Sequence, residues 1–235
     1  MKIYELKLSV TLKGDVHLKE YVEFVSKNIN RIFYNSIILR AIHEKKGFKP
    51  YVIGSMYPFE SKLKRYQGGS TYTLTLRTID ETIAQEIQKA SKKAYNLDFD
   101  ITDVSYKELR IGHIDKLHTI TPAVLTLTDE GEKPRYWTIE DDLLLLQKRI
   151  KDNLEKKYEE FFKKPILASD DMINFFSIHN QKPIVYNYRG GKIFANKLTI
   201  GFNSDEASQK LARLSFGVGI LEKNPLGFGM VVRGR

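Results

Sequence analysis

The sequence predicts an α+β protein in which the element order strand-helix-strand-strand-helix-strand occurs twice. Three observations support this prediction: period-two alternation of apolar and polar residues at the start, helical periodicity in the segments that follow, and the return of the same order in the second half. A chain of 235 residues is long enough for two small domains, each with its own core. No primary-sequence repeat accompanies the recurrence, so the prediction rests on element order.

The first half of the chain contains one complete set of these elements. Residues 4–12 alternate in polarity, which is typical of a half-buried strand. Apolar residues at helical spacing then predict a helix over 18–33 and a second short helix from Ile37, ending near Gly47. The remaining predicted elements are strands at 51–56 and 72–77, paired as a long hairpin, a helix over 81–94 capped by Asp80, and a strand at 99–106.

The second half repeats the order. A strand is predicted at 124–127, followed by an amphipathic helix over 140–163. The glycine pair Gly190-Gly191 predicts a tight turn, because glycine accepts a positive φ at little cost. The remaining predicted elements are the two strands of that hairpin, at 184–188 and 192–202, a short helix capped by Ser204-Asp205-Glu206, and a last strand at 227–232.

This order is the split βαβ, or ferredoxin-like, motif. The sequence therefore predicts two tandem ferredoxin-like units, residues 1–114 and residues 115–235. Each unit would present an open antiparallel sheet with helices on one face, and RNA-recognition modules use this layout.

The composition narrows the function. The net charge of +9 and the pI near 9.4 favour a polyanionic partner, although a solvated basic surface also accounts for them. The absence of cysteine excludes disulfides, thiolate zinc sites, iron–sulfur clusters and a cysteine nucleophile. The sequence shows neither a long apolar run nor a signal-peptide pattern, so we expect a cytoplasmic protein without a membrane partner.

Glycines near the C-terminus form the most distinctive motif. Gly217-Val218-Gly219 and Gly227-Phe228-Gly229 enclose a short segment that contains Lys223. Glycine lets backbone N–H groups approach an anion closely, and a lysine adds charge that suits phosphate. The motif therefore predicts an RNA-binding loop formed by Gly217, Gly219, Lys223, Gly227 and Gly229. The alternative is that the glycines serve sharp turns alone.

This terminal motif, on a basic chain with two βαββαβ units, resembles the glycine-rich loop of the RAMP superfamily. It is most similar to the Cas6 family, the CRISPR-associated endoribonucleases that cut precursor CRISPR RNA within its repeats. The resemblance covers the whole chain in element order. It implies tandem ferredoxin-like domains, RNA cleavage without a metal or other cofactor, and supply of guide RNA to an interference complex of other Cas proteins.

The resemblance also points to a catalytic residue. In that family the catalytic histidine often follows the first helix of the first domain, and His43 stands at that position. Cleavage of this kind needs proton transfer and a cation on the phosphate, for which Lys49 lies six residues on. Tyr34 is the nearest tyrosine, and Lys45 and Lys46 would bind flanking phosphates. Without the resemblance, His43 would be interpreted as a polar residue at a helix C-terminus.

Further cations are candidates for RNA binding. Within the second predicted hairpin, the basic residues alternate with aromatic residues, which suits phosphate contacts and base stacking, although the rings would equally serve as core. The long loop of the first half and the C-terminus carry other basic residues. The candidates are Arg189, Lys192 and Lys197 in the hairpin, Lys62 and Arg65 in the loop, and Arg233 near the C-terminal Arg235.

The remaining histidines support no metal site. His113, Asp115 and His118 cluster in the sequence, but their spacing matches no standard ligand motif, and an interdomain linker is the simpler interpretation. His17 and His179 fall in predicted turns.

The sequence thus predicts a metal-independent endoribonuclease, monomeric or homodimeric, that cleaves CRISPR repeat RNA by 2′-hydroxyl attack. The alternatives are a non-catalytic RAMP subunit that holds guide RNA in an effector complex, and a general RNA-binding module.

Overall fold

A computed structural model of the chain describes residues 1–59, 62–128 and 133–234. The strands are β1 (Ile3–Leu12), β2 (Val16–His17), β3 (Tyr51–Tyr57), β4 (Arg65–Tyr66), β5 (Thr71–Thr78), β6 (Phe99–Leu109), β7 (Lys116–Thr119), β8 (Thr126–Leu127), β9 (Arg135–Tyr136), β10 (Ile173–Ile178), β11 (Ile184–Tyr188), β12 (Gly191–Ala195), β13 (Leu198–Phe202) and β14 (Val231–Arg233). The α-helices are α1 (Tyr21–Phe33), α2 (Ile37–Glu44), α3 (Glu81–Lys92), α4 (Leu143–Phe162) and α5 (Glu206–Val218), with 3-10 turns at Leu18–Glu20 and Asn224–Leu226.

The first sheet has the strand order β3-β5-β1-β6, all antiparallel. The alternation of apolar residues along β1 sets its pairing with β5, because Leu6 and Leu8 are fully buried and lie opposite the equally buried Leu76 and Leu74 of β5. Helices α1 and α3 pack their apolar faces into the same core. The strand order and the helix positions are those of a ferredoxin-like unit.

The second sheet has the order β10-β13-β7-β14, which is the same topology. Helices α4 and α5 pack against each other and contribute to its core. Asp142 and Asp205 cap these helices by accepting hydrogen bonds from backbone N–H groups in the first turn. The fold class predicted from the sequence, two tandem ferredoxin-like units, is therefore confirmed.

In the second unit one strand prediction was wrong and one strand was missed. The first strand of the sheet is β7, not residues 124–127, of which only the last two form the short β8, paired with β9 outside the main sheet. The second strand of the sheet is β10, a segment that the sequence analysis left unassigned. Strand β7 alternates in burial over only four residues, and β10 is mostly half-buried and mixed in polarity, so neither gives a clear alternation in the sequence.

The predicted hairpin strand over 192–202 is two strands. Strand β12 pairs with β11, and β13 enters the main sheet between β10 and β7. The break falls at buried Asn196, whose backbone pairs with Ala123 and whose side chain bonds Asn180 and the Trp137 carbonyl. The hairpin β11–β12 is therefore an insertion, and it packs on α1 and the turn before it.

The C-terminal elements also differ in their limits. Gly217 lies in the last turn of α5, so the glycine-rich loop begins at Gly219. The last strand begins at Val231, and residues 227–230 are not a strand. This loop and α5 contact β3, and α5 also contacts β5, so the C-terminal elements are packed against the first sheet.

One buried arginine joins the two units. Arg77 of β5 bonds Glu5 within the first sheet at 2.9 Å and donates to the carbonyl of Val231 at 2.7 Å. Its guanidinium also lies 3.9 Å from the centre of the Phe216 ring in α5. The contact fixes α5 and β14 on the first sheet.

None of the helices described is long and apolar enough to cross a membrane.

Candidate active site and RNA-binding surface

His43 lies in the last turn of α2. Ser36 begins this helix by accepting a hydrogen bond from the Leu39 N–H, and the chain turns away after Lys45. His43 is partly buried. Its pKa is held below 6.5, first by burial and then by the charge of Lys49, while Glu44 acts in the opposite direction. The imidazole is therefore neutral at pH 7 and available as a base.

Lys49 returns to His43 across the turn at Gly47. Its Nζ donates to the carbonyl oxygen of His43 at 2.6 Å, and burial lowers the pKa of the amine. The bond uses one of the three hydrogens of the ammonium group, so two remain for a ligand. The turn thus fixes a cation next to the histidine.

Tyr34 completes the cluster. It caps the C-terminus of α1, its side chain is 52% exposed, and its ring meets the His43 ring edge-on with centroids 6.2 Å apart. Arg40 donates to the Tyr34 carbonyl at 2.8 Å and lies 5.5 Å from the ring centre. The three sequence candidates for catalysis are therefore brought together in the structure.

The two lysines after His43 differ in their surroundings. Both are exposed, and Lys45 forms an ion pair with Glu160 of α4 at 3.7 Å. This pair links the end of α2 to the second unit, so Lys45 is partly neutralised, whereas Lys46 projects from the turn.

The glycines of the terminal motif are buried. A Cβ at Gly217 would meet Ile79 and Ile3 of the first unit, and one at Gly219 would meet Asn224 and Val52. The N–H groups of Gly219, Gly227 and Gly229 donate to carbonyls of the protein itself. These glycines allow close packing of the loop on the first sheet, and the three N–H groups are not free for phosphate.

Lys157 of α4 holds this loop by hydrogen bonds, and the sequence analysis did not identify it as a site residue. Its Nζ donates to the carbonyls of Gly219 and Leu221, at 3.0 and 2.8 Å, and to Asn224 Oδ1 at 2.8 Å. Burial lowers the pKa of Lys157 to about 7. Asn224 Nδ2 in turn donates to the carbonyls of Ile220 and Phe228, which closes the loop.

Lys223 is the charge of the loop that the motif predicted, and it is half-buried. The residue has a left-handed backbone, and its ammonium lies 5.8 Å from the centre of the Tyr136 ring. Lys223 and Lys49 line the same cleft, which has a volume of about 320 Å³ and lies between the turn after α2, helix α4 and the loop. The structure thus brings the loop cation to the candidate catalytic cluster.

Two of the three cations predicted in the hairpin, Arg189 and Lys192, lie in the insertion β11–β12. The backbone N–H of Arg189 at its tip donates to Glu23 of α1 at 2.9 Å, and the charge of Arg189 contributes to the low pKa of His43. Lys192 is exposed beside it, and Lys197 lies beyond the break before β13. The Tyr186 ring is buried against Phe228, so it belongs to the core and not to a stacking surface.

The remaining predicted cations lie elsewhere. Lys62 is exposed before β4, and Arg65 of that strand pairs with Asp15 at 3.0 Å. Arg233 of β14, at the edge of the second sheet, donates to the His113 carbonyl at 2.8 Å. Arg235 lies outside the described residues.

The other histidines do not join the candidate catalytic cluster. His113 pairs with Asp115 at 3.1 Å, whereas His118 lies in β7, not in a linker. His118 and His179 both hydrogen-bond Thr199 Oγ1 across the second sheet, at 2.6 and 2.5 Å. Within the ranges that the structure describes, no three His, Asp or Glu side chains are arranged to hold a metal ion.

Relatives of the chain share this architecture. The chain is 24% identical over 249 residues to CRISPR-associated endoribonuclease Cas6 2 of Methanocaldococcus jannaschii, covering 96% of this chain and 98% of that protein. A Cas6-related protein of Pyrococcus furiosus superposes with a TM-score of 0.70 at 18% identity, covering 100% of this chain and 98% of that one. A Cas6 product complex gives 0.65 at 16% identity, with 99% of each chain covered.

A family model identifies the chain. The model described as CRISPR associated protein Cas6, C-terminal, matches residues 105–232, which is more than half of the chain and includes the second sheet and the glycine-rich loop. The chain belongs to the Cas6 family of CRISPR-associated proteins.

Proposed function

We propose that this protein is an endoribonuclease that cleaves CRISPR repeat RNA in the precursor transcript to release mature guide RNA. The observation that carries the proposal is the convergence of Tyr34, His43 and Lys49 at the end of α2, beside a cleft lined by Lys223. The M. jannaschii relative is named as an endoribonuclease, and this chain matches nearly its whole length.

The reaction is a transfer of the phosphodiester to the neighbouring 2′-oxygen. The 2′-oxygen forms a bond to phosphorus in line with the leaving 5′-oxygen, the P–O5′ bond breaks, and the products carry a 2′,3′-cyclic phosphate and a 5′-hydroxyl. A base must take the 2′-proton and an acid must protonate the 5′-oxygen. Neutral His43 suits the first step, and its low pKa keeps it unprotonated at pH 7.

Lys49 and Tyr34 supply the other groups that the reaction needs, a cation for the phosphate and a hydrogen donor. Lys49 holds an ammonium group beside His43 with two hydrogens free for the non-bridging phosphate oxygens, where negative charge builds up. The Tyr34 hydroxyl lies beside the His43 ring, and we assign it the proton that the leaving 5′-oxygen takes up. These groups supply proton transfer and charge stabilisation from side chains alone, so we propose a reaction without a metal ion or other cofactor.

The surroundings extend the proposal to the partners. Exposed cations on the turn after α2 and on the hairpin tip, together with the half-buried Lys223 of the glycine-rich loop, lie near the cluster, and they suit an RNA backbone. We propose that the protein acts in the cytoplasm as a monomer or homodimer and passes its product to other Cas proteins.

A substrate series tests the function. Purified protein is incubated in EDTA with its cognate repeat RNA and with the same RNA carrying a single 2′-deoxy nucleotide at the scissile position. We expect cleavage of the first at one site, with cyclic phosphate ends, and binding without cleavage of the second. Normal cleavage of the deoxy substrate would contradict the mechanism. Binding of both RNAs without cleavage would instead indicate a subunit that holds guide RNA.

A further inference from the structure

A second cavity continues the cleft beside Lys49. The cleft of about 320 Å³ and a neighbouring cavity of about 280 Å³ share Asn153, Lys156, Leu221 and Glu222 in their linings. Together they form a groove between α4 and the glycine-rich loop, from Lys49 at one end to Thr128 at the other; we call it the α4 groove.

The floor of the α4 groove is one face of helix α4. Arg149, Asn153 and Lys156 are spaced i, i+4 and i+7, so they lie in a row about 10 Å long. Arg149 and Lys156 are exposed, and neither forms an ion pair with any residue of the described ranges. Lys223 adds a third cation from the loop side.

The acidic residues along the groove are mostly engaged. Both carboxylate oxygens of Glu222 accept hydrogen bonds from Thr126, at 3.1 and 2.6 Å, and Glu160 pairs with Lys45. Asp152 is the remaining carboxylate of the lining. The unpaired charge that the groove offers to a ligand is therefore mainly positive.

Asn153 provides a second, independent indication of a ligand. Its side-chain oxygen is buried and has no hydrogen-bond partner among the residues described, and the residue lines both cavities. A buried amide oxygen without a donor is uncommon in a folded protein. A rotation of the amide would turn this oxygen into the groove, where an RNA strand offers suitable donors in its ribose 2′-hydroxyls and its nucleobase N–H groups.

We propose that the α4 groove holds the stretch of RNA that continues from the scissile phosphate, with Arg149 and Lys156 on its phosphates and Asn153 on a ribose or base donor. This rests on the proposed function, because it takes RNA at Lys49 as its starting point. The proposal adds a binding surface on α4, and this surface determines how many nucleotides next to the scissile phosphate are bound.

Binding of an uncleavable RNA tests the proposal. The double variant Arg149→Ala/Lys156→Ala is compared with Lys148→Ala/Lys164→Ala, which removes the same charge from exposed positions outside the groove, on and just after the same helix. Affinity for the 2′-deoxy repeat RNA is measured at several salt concentrations. The groove variant is expected to bind about tenfold more weakly, and its slope of log K against log salt should fall by about 1.4, since two single-strand phosphate contacts are lost.

Shortened RNAs make the test specific. RNA is trimmed one nucleotide at a time from each end in turn, and wild type and groove variant are expected to converge once the nucleotides of the groove are removed from one end. Equal affinities of the groove variant and its control at every length would overturn the proposal. Because binding is measured with uncleavable RNA, a failure of cleavage by the wild type would refute the proposed function and leave this result independent.

Discussion

The candidate catalytic cluster and the glycine-rich loop meet at one cleft, which Lys49 of the cluster and Lys223 of the loop both line, and the two regions are built in opposite ways. Tyr34, His43 and Lys49 lie at helix ends and in a turn, partly exposed, with hydrogen-bonding capacity left for a substrate. The glycines of the loop are buried, and its backbone is held by Lys157 and Asn224. The hydrogen-bonding capacity left in the first region suits the proposed chemistry, and the internal bonds of the second fix the shape of the loop that carries Lys223.

Replacement of His43 separates the two regions most strongly. His43→Ala removes the proposed base while its partly exposed site loses few contacts. We expect the single-turnover rate of repeat RNA cleavage to fall by about 10²–10⁴-fold, with RNA affinity and melting temperature close to wild type. Rates are measured with excess protein, and binding with the 2′-deoxy RNA.

His113→Ala is the matched control for this variant. His113 is a partly exposed histidine between β6 and β7 that pairs with Asp115, away from the cluster. We expect it to cleave like wild type. A His43→Ala protein that retained wild-type cleavage would move the catalytic role to another residue and leave the endoribonuclease function standing.

Replacement of Lys157 should have its first effect on stability. Lys157→Ala leaves the two loop carbonyls and Asn224 Oδ1 without their donor in a buried site. Unsatisfied buried groups of this kind cost about 3 kcal/mol together, which corresponds to a fall in Tm of roughly 10 °C for a chain of this size. Calorimetry measures the change.

Lys148→Ala, an exposed position on the same helix, is the control for charge and helix propensity. It should leave the Tm within about 1 °C of wild type, as is usual for an isolated surface substitution. If the Lys157 and Lys148 variants had the same Tm, the hydrogen bonds of Lys157 would not stabilise the loop.

The same comparison shows which contacts of the candidate site a sequence can predict. The catalytic candidates are local, with six residues from His43 to Lys49, so one turn of chain brings them together. Lys157 is not visible in this way, because a lysine on a helix is normally solvated. The signal was its position three residues after Leu154, on the buried stripe that includes Leu146 and Ile150.

The strands of the fold also divide into those that a sequence pattern predicts and those that it does not. Strands of the first sheet alternate because one face is buried, and the prediction over 4–12 follows from that burial. Strand β7 has four residues, two of them Lys116 and His118, so its pattern cannot be distinguished from a linker. The break at Asn196 depends on bonds to Ala123, which is distant in sequence, and no local pattern reports it.

Two glycines of the loop allow a matched test of its shape. Gly227 and Gly229 both have positive φ, but a Cβ at Gly229 would collide with the Ile220 carbonyl, whereas one at Gly227 meets only the Ile53 carbonyl at 4.0 Å. Gly227→Ala should therefore cost only the backbone strain, about 1 kcal/mol. Gly229→Ala should cost more, because the loop must also move. Urea unfolding of the two variants measures the difference, and equal losses would show that packing at Gly229 is not the constraint.

The smallest effect concerns the charge that tunes His43. Lys49 lowers the pKa of the imidazole by repelling its protonated form, and Glu44 raises it. If neutral His43 is the base, the cleavage rate falls as pH drops through that pKa, so the acid limb lies below pH 6.5, the usual value for histidine. Lys49→Met should move this limb to higher pH as well as lowering the plateau rate, since the repulsion is lost. Glu44→Gln should move it to lower pH. A limb that stayed in place in both variants would show that a group other than His43 titrates in the reaction.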